Sequence, residues 1–240
     1  MVELPQRTWG EPSGRRALLV HGLSSDSGSW WRVAGHLATR GWHVTAVDLR
    51  GHGTAPRADS YTLAEYAGDL PAGPWDLVVG HSLGGASAVV AAHRAEFAKR
   101  LVLIDPVLAI PDALRSDIAA DQVSELEYTA ETIAADRPHW HERDREAKLS
   151  GVRTVDPSAV TRSFDDNPGW DLTSEAEALG VPTLILSGDP EVYTMLDPTL
   201  ARGLPVDYVV IVGAGHSPHR DRPDETLAAL DDWLHATDPR

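Results

Sequence analysis

The sequence predicts an α/β fold: a mostly parallel sheet flanked by helices on both faces, with a helical cap inserted near the middle of the chain. Three observations predict it. Short apolar runs recur along the chain, longer polar or amphipathic segments separate them, and one interval of residues 106–179 carries no strand pattern. Short buried runs alternating with helical segments are what parallel strands joined by crossovers look like in sequence.

The apolar runs fall at residues 17–20, 43–47, 76–79, 101–104, 183–186 and 208–212, each rich in Val, Leu or Ile and bounded by Gly, Pro or Asp. Residues 30–40, 83–98 and 222–235 read as helices between or after them. Right-handed crossovers leave little freedom in the topology. From residue 106 to about 179, acidic helix-prone stretches at 112–135 and 139–149 stand where strands are missing. A gap of that length is more easily an inserted cap over a site than a bare loop. The expected organisation is a core of residues 1–105 and 180–240 with a cap or lid of residues 106–179.

Composition bounds the function. A chain of 240 residues, 42% hydrophobic and 24% charged, suits one globular domain. There is no apolar run of about 18 residues to span a membrane. The start, Met-Val-Glu-Leu-Pro-Gln-Arg, does not read as a secretion signal. With no cysteine, disulfides, thiolate metal sites and a cysteine nucleophile are excluded. A cytoplasmic location is the default expectation. With 21 basic and 36 acidic residues the formal charge is −15, which disfavours nucleic acid and anionic membranes. The expected partner is a small molecule, neutral and partly apolar; the oligomeric state stays open.

The chemistry is concentrated at Gly80-His81-Ser82-Leu83-Gly84-Gly85, which follows the run 76–79 and precedes a stretch of Ala and Val. This is a Gly-x-Ser-x-Gly nucleophile elbow in strand–turn–helix context. A serine there sits on a sharp turn, and the residues two before and two after it lie too close to other backbone to carry a Cβ. The following helix aims its N-terminal amides at the place where negative charge develops. Ser82 is thus the expected nucleophile. His21-Gly22 follows the first strong strand, which assigns the oxyanion-hole amides to Leu23 and Leu83, with His21 a structural residue tying down its loop. Gly215-His216, after the last strand, supplies a general base in the chain order such elbows use. His219 reads as a solvated surface group. His139-Trp140-His141, in the cap, reads as pocket wall or surface rather than metal site, since a third ligand is missing.

These landmarks resemble the α/β-hydrolase superfamily, in particular its small, capped, esterase-like branch. His21-Gly22, Asp48-Leu49-Arg50-Gly51-His52-Gly53, the elbow and Gly215-His216 occur in that family's order. The resemblance implies that residues 48–53 form a structural loop. It also implies an acid after the strand at 183–186, in a Gly-x-x-Asp turn. This chain has Gly188-Asp189-Pro190-Glu191 instead. Asp189 is the leading assignment, with Glu191 and then Asp105 as alternatives. The activity implied is hydrolysis of a carboxylic ester or lactone through an acyl-enzyme, with no metal or cofactor. A thioesterase, a C–C hydrolase, a cofactor-free lyase, or a ligand-binding receptor with a weak triad would use the same residues.

Overall fold

Side chains alternate across a strand with a period of two, and here both sets are buried, so a sheet with two covered faces follows. The computed structural model describes residues 1–238. The chain opens with β1 (Gln6–Trp9) and β2 (Arg15–Val20), then a 3-10 turn at Ser27–Trp30 and α1 (Trp31–Ala38). Next come β3 (Trp42–Val47), α2 (Leu63–Asp69), β4 (Leu77–His81), α3 (Leu83–Ala91) and β5 (Leu101–Ile104). A strand-free stretch follows, with α4 (Asp112–Ser124), α5 (Ala130–Asp136), α6 (Glu142–Thr154), α7 (Pro157–Asp165) and α8 (Thr173–Glu177). The sheet resumes with β6 (Thr183–Ser187), α9 (Pro198–Gly203), β7 (Asp207–Val210), α10 (Pro218–Asp221) and α11 (Pro223–Thr237).

The seven strands lie in the order β1-β3-β2-β4-β5-β6-β7. Only the β1/β3 edge pairs antiparallel. Leu18 and Val20 of β2 and Leu101 and Leu103 of β5 face a core shared with α2 and α3. Ala17, Leu19, Val102 and Ile104 face the other core, against Trp30, Val33 and Leu37 near α1 and Leu230, Trp233 and Leu234 of α11. α3 is apolar on nearly every side because it is buried nearly all round. No helix among the described residues is long and apolar enough to cross a membrane.

Several elements depart from the sequence pattern for identifiable reasons. β1 escapes notice because its residues are mostly exposed, giving no buried run. The helix expected over 83–98 ends at Ala91; the chain then turns through Glu96 at φ 54° and returns the Phe97 carbonyl to the Trp75 amide. The stretch 112–135 is broken after Ser124, and Thr129 starts α5 with a capping box to Thr132. α6 begins only at Glu142, because the His141 ring accepts from the Arg143 amide and so caps it.

Leu103 is fully buried in the middle of the sheet. Leu103→Ala is expected to lower the unfolding free energy by about 2–5 kcal/mol in urea titration; a loss below 1 kcal/mol would mean this core is not tightly packed.

Candidate active site

Ser82 sits between β4 and α3 at φ 54° and ψ −120°. A residue with a Cβ at positive φ is strained and needs its surroundings to hold it. Here the Ser82 amide donates to the Ile104 carbonyl at 3.1 Å, and the Ser82 carbonyl accepts from Ala86 at 3.0 Å. The glycines are steric requirements. A Cβ on Gly80 would lie 2.5 Å from the Gly84 carbonyl oxygen, and one on Gly84 would lie 2.2 Å from that of Val20. One on Gly85 would lie 2.9 Å from Pro106 Cβ, so even the extra glycine of the motif has a neighbour to accommodate.

His216 stands over the serine on the loop after β7. Its Nε2 is 3.0 Å from Ser82 Oγ, and its Nδ1 is 2.6 Å from Asp105 Oδ2. An ionised carboxylate only accepts, so Nδ1 carries the proton and Nε2 is left to accept from the Ser82 hydroxyl. Asp105, at φ 40° at the end of β5, is fully buried yet well supplied with donors. The Gly188 amide and the Ser187 and Thr194 hydroxyls donate to Oδ1, and the Met195 amide donates to Oδ2. Burial pushes its pKa up, but His216 and these hydrogen bonds outweigh burial and hold it below the usual carboxylate range.

The expected acid, Asp189, is therefore not the partner of His216. Its Oδ1 accepts from the Glu191 amide at 3.0 Å, which closes its own turn, and its Oδ2 accepts from the Gly213 amide at 2.8 Å. It pins the loop after β6 to the loop that carries His216. Glu191 is exposed. The reason lies in the strand order. β5 is the immediate neighbour of β4, so the residue ending β5 lies beside the serine. The 188–195 segment after β6 wraps over that residue and spends its amides and hydroxyls on it.

Two further histidines flank the base. His81 Nε2 donates to the His216 carbonyl at 2.8 Å, fixing the loop backbone. His219 is buried, not solvated as the sequence suggested. It stacks on Trp30 at 5.1 Å between centroids and meets His81 edge-on at 4.8 Å. The charged residues after it gave the wrong cue, because Arg220 turns inward as well. Burial drives the pKa of both rings well below the ordinary imidazole value, so they stay neutral beside His216.

The loop after β2 closes the other side. A Cβ on Gly22 would lie 3.0 Å from Ser82 Cβ, so the loop rests against the nucleophile. His21 holds it there: Nε2 accepts from the Leu49 amide at 3.0 Å, which leaves Nδ1 to donate to the Gly22 carbonyl at 2.7 Å. Leu23 and Leu83 line a cavity of about 620 Å³ together with Ser82 and His216. Leu83 opens α3, so its amide has no acceptor within the helix. Ile118, Tyr128, Ile133 and Trp140, from the stretch between β5 and β6, line the same cavity. His139 also lines it, whereas His141 caps α6. Asp221 joins the two halves: Oδ1 accepts from Trp140 Nε1 and His139 Nε2, and Oδ2 accepts from the Gly215 amide.

The sequence profile described as the Alpha/beta hydrolase family matches residues 17–230. The chain belongs to this family. It is 32% identical over 176 residues to the lipase LipV of Mycobacterium tuberculosis, across 70% of this chain and 62% of that protein's length. It is 27% identical to the non-heme chloroperoxidase CPO-A1 of Kitasatospora aureofaciens, covering 82% of this chain and 81% of that one. Among solved structures, E-2-(acetamidomethylene)succinate hydrolase superposes with a TM-score of 0.81 at 24% identity, covering 98% of this chain and 96% of that one. The enol-lactonase of Burkholderia xenovorans superposes with a TM-score of 0.78 at 24% identity, covering 98% and 97%. At this identity the superpositions carry the hydrolase fold alone.

In this member of the family the loop of residues 48–53 is a scaffold. Asp48 accepts from the amides of Ser27 and Thr54, and Arg50 pairs with buried Asp69 at 2.7 Å. His52 is fully buried, and burial lowers its pKa to about 3.

His21, His52, His81 and His219 are all buried with lowered pKa values, chiefly through burial. A depressed histidine pKa means the unfolded chain binds the proton first, so stability present at neutral pH is lost as pH falls below about 6.5. Each ring can contribute up to about 1.4 kcal/mol per pH unit in that window. Denaturant unfolding between pH 8 and pH 5 is expected to show stability nearly level at first, then falling steeply below about pH 6.5. A flat profile to pH 5 would show that these rings titrate normally.

Proposed function

We propose that this chain is a serine hydrolase that cleaves a carboxylic ester or lactone of a small molecule through an acyl-enzyme on Ser82. The observation that carries the reading is the hydrogen-bonded line from Asp105 through His216 to Ser82, with the serine lining a cavity of about 620 Å³. Ser82 Oγ attacks the acyl carbonyl carbon as its proton passes to His216 Nε2. The negative charge that forms on the carbonyl oxygen is held by the Leu23 and Leu83 amides. His216 then gives the proton to the departing alkoxide, leaving the acyl group on Ser82. A water molecule, deprotonated by His216, attacks that acyl group and restores the serine with release of the acid. Asp105 stabilises the imidazolium in both halves without taking its proton. The neutral state of His81 and His219 matters here, since charged neighbours would oppose that imidazolium.

Residues 106–179 act in this reading as a cap, because α4, α5 and the α5–α6 link supply walls of the cavity over the serine. A lipase among the relatives is consistent with ester cleavage.

Turnover of short-chain 4-nitrophenyl esters and of lactones tests the proposal. Ser82→Ala is expected to cost about 10⁴-fold or more in kcat, and Asp105→Asn about 10⁴-fold by selecting the wrong tautomer of His216. Glu191→Gln is expected to cost less than about twofold and Asp189→Asn less than about a hundredfold, because neither carboxylate touches the imidazole. Release of one acyl product per protein molecule without turnover would favour a receptor and sink the hydrolase reading.

A further inference from the structure

Arg220 is a buried cation in the cavity wall without a carboxylate partner. Its side chain is 5% exposed and lines the cavity that opens on Ser82. A guanidinium carries five N–H donors. Among the described residues this one makes a single side-chain hydrogen bond, from Nη2 to Ser25 Oγ at 3.3 Å, and its buried Nε finds no acceptor. Its remaining contact is the face of Trp140, 5.1 Å from the ring centroid. The carboxylates around it are engaged elsewhere. Asp144 accepts from Trp31 and Arg32, Asp26 from Gly28 and Ser150, and Glu125 from Lys148. Asp221 holds Trp140, His139 and Gly215. A buried charge left so poorly paired is unfavourable, and burial pulls the Arg220 pKa down from its ordinary value. Nε lies too deep for a ligand to reach, but Nη1 makes no hydrogen bond and is not fully buried, so an anion entering the cavity would be met there. Ser25 fixes the guanidinium to the Leu23 loop, and that loop rests against Ser82.

We propose that Arg220 is the recognition group for a carboxylate on the substrate, so that the preferred ester or lactone is an anionic one. The inference rests on the hydrolase reading for its substrate but not for its binding site. The net charge of −15 suggested a neutral ligand. That field is screened beyond about 8 Å at physiological salt, whereas a guanidinium contact inside the cavity is screened much less.

Two pairs of esters test it, each differing only by a carboxylate. One pair carries it on the acyl chain (4-nitrophenyl glutarate against 4-nitrophenyl valerate), the other on the alcohol. In at least one pair the protein is expected to favour the carboxylate by about tenfold to a hundredfold in kcat/KM, as a charge-assisted hydrogen bond would give. Arg220→Met is expected to bring that ratio near one and Arg220→Lys to keep part of it. The ratio is read because a purely structural role would slow both members alike. No preference in either pair, or a preference that survives Arg220→Met, overturns the proposal. If no ester is turned over, the hydrolase reading fails. Arg220 is then judged by tryptophan fluorescence of Ser82→Ala titrated with glutarate and with glutaramide. A response to glutarate alone, lost on adding Arg220→Met, supports the anion site; equal responses, or none, overturn it.

Discussion

The close approach of α3 to the end of β2 governs the geometry of the site. Gly84 lies so near the Val20 and His21 carbonyls that no side chain fits between them. This contact brings the start of α3 and the loop after β2 to within backbone distance of each other. Gly22 can then rest against Ser82, and Leu23 and Leu83, from unrelated parts of the chain, line one cavity. Ser82 accepts a positive φ because β4, β5 and α3 hold its backbone on either side. His21 extends the same constraint to β3 by binding the Leu49 amide. A change that separated α3 from β2 would therefore disturb Ser82, the backbone at Gly22 and Leu83, and the neighbouring strand together.

Ser82, His216 and the glycines were legible in sequence because their chemistry is local. An elbow needs its residues within a few positions, and a histidine loop needs glycines beside it. The acid is a different kind of fact. Asp189 and Asp105 both follow a strand, and the choice between them depends on which strand lies beside β4 and which donors point where. Thr194, Met195 and Gly188 all turn toward Asp105, and nothing in their spacing announces it. The one local hint was Gly85, whose missing Cβ makes room for Pro106 directly after Asp105. His219 misled for a related reason: a polar residue ahead of charged ones looks solvated, yet the short α10 turns it inward together with Arg220.

The polar interior is arranged around a single charge change. During catalysis as proposed, His216 gains a proton while Asp105 keeps its negative charge. The imidazoles closest to that event are uncharged, His81 held by the His216 carbonyl and His219 packed on Trp30. Burial, unfavourable for a charged imidazole, here preserves the contrast between the one ring that must ionise and the rings that must not.

Asp105 directly follows β5, where the chain leaves for residues 106–179, and this makes the two roots of that excursion unequal. The outgoing root is bonded to His216 through Asp105 and wedged against the elbow through Pro106. The returning root, ahead of β6, is anchored on the core instead, where Leu179 and Val181 pack and the Pro182 carbonyl accepts from the Leu101 amide at 3.0 Å. Residues 106 and 107 are anchored beside the elbow, Pro106 against Gly85 and the Val107 amide on the Ser82 carbonyl at 3.4 Å.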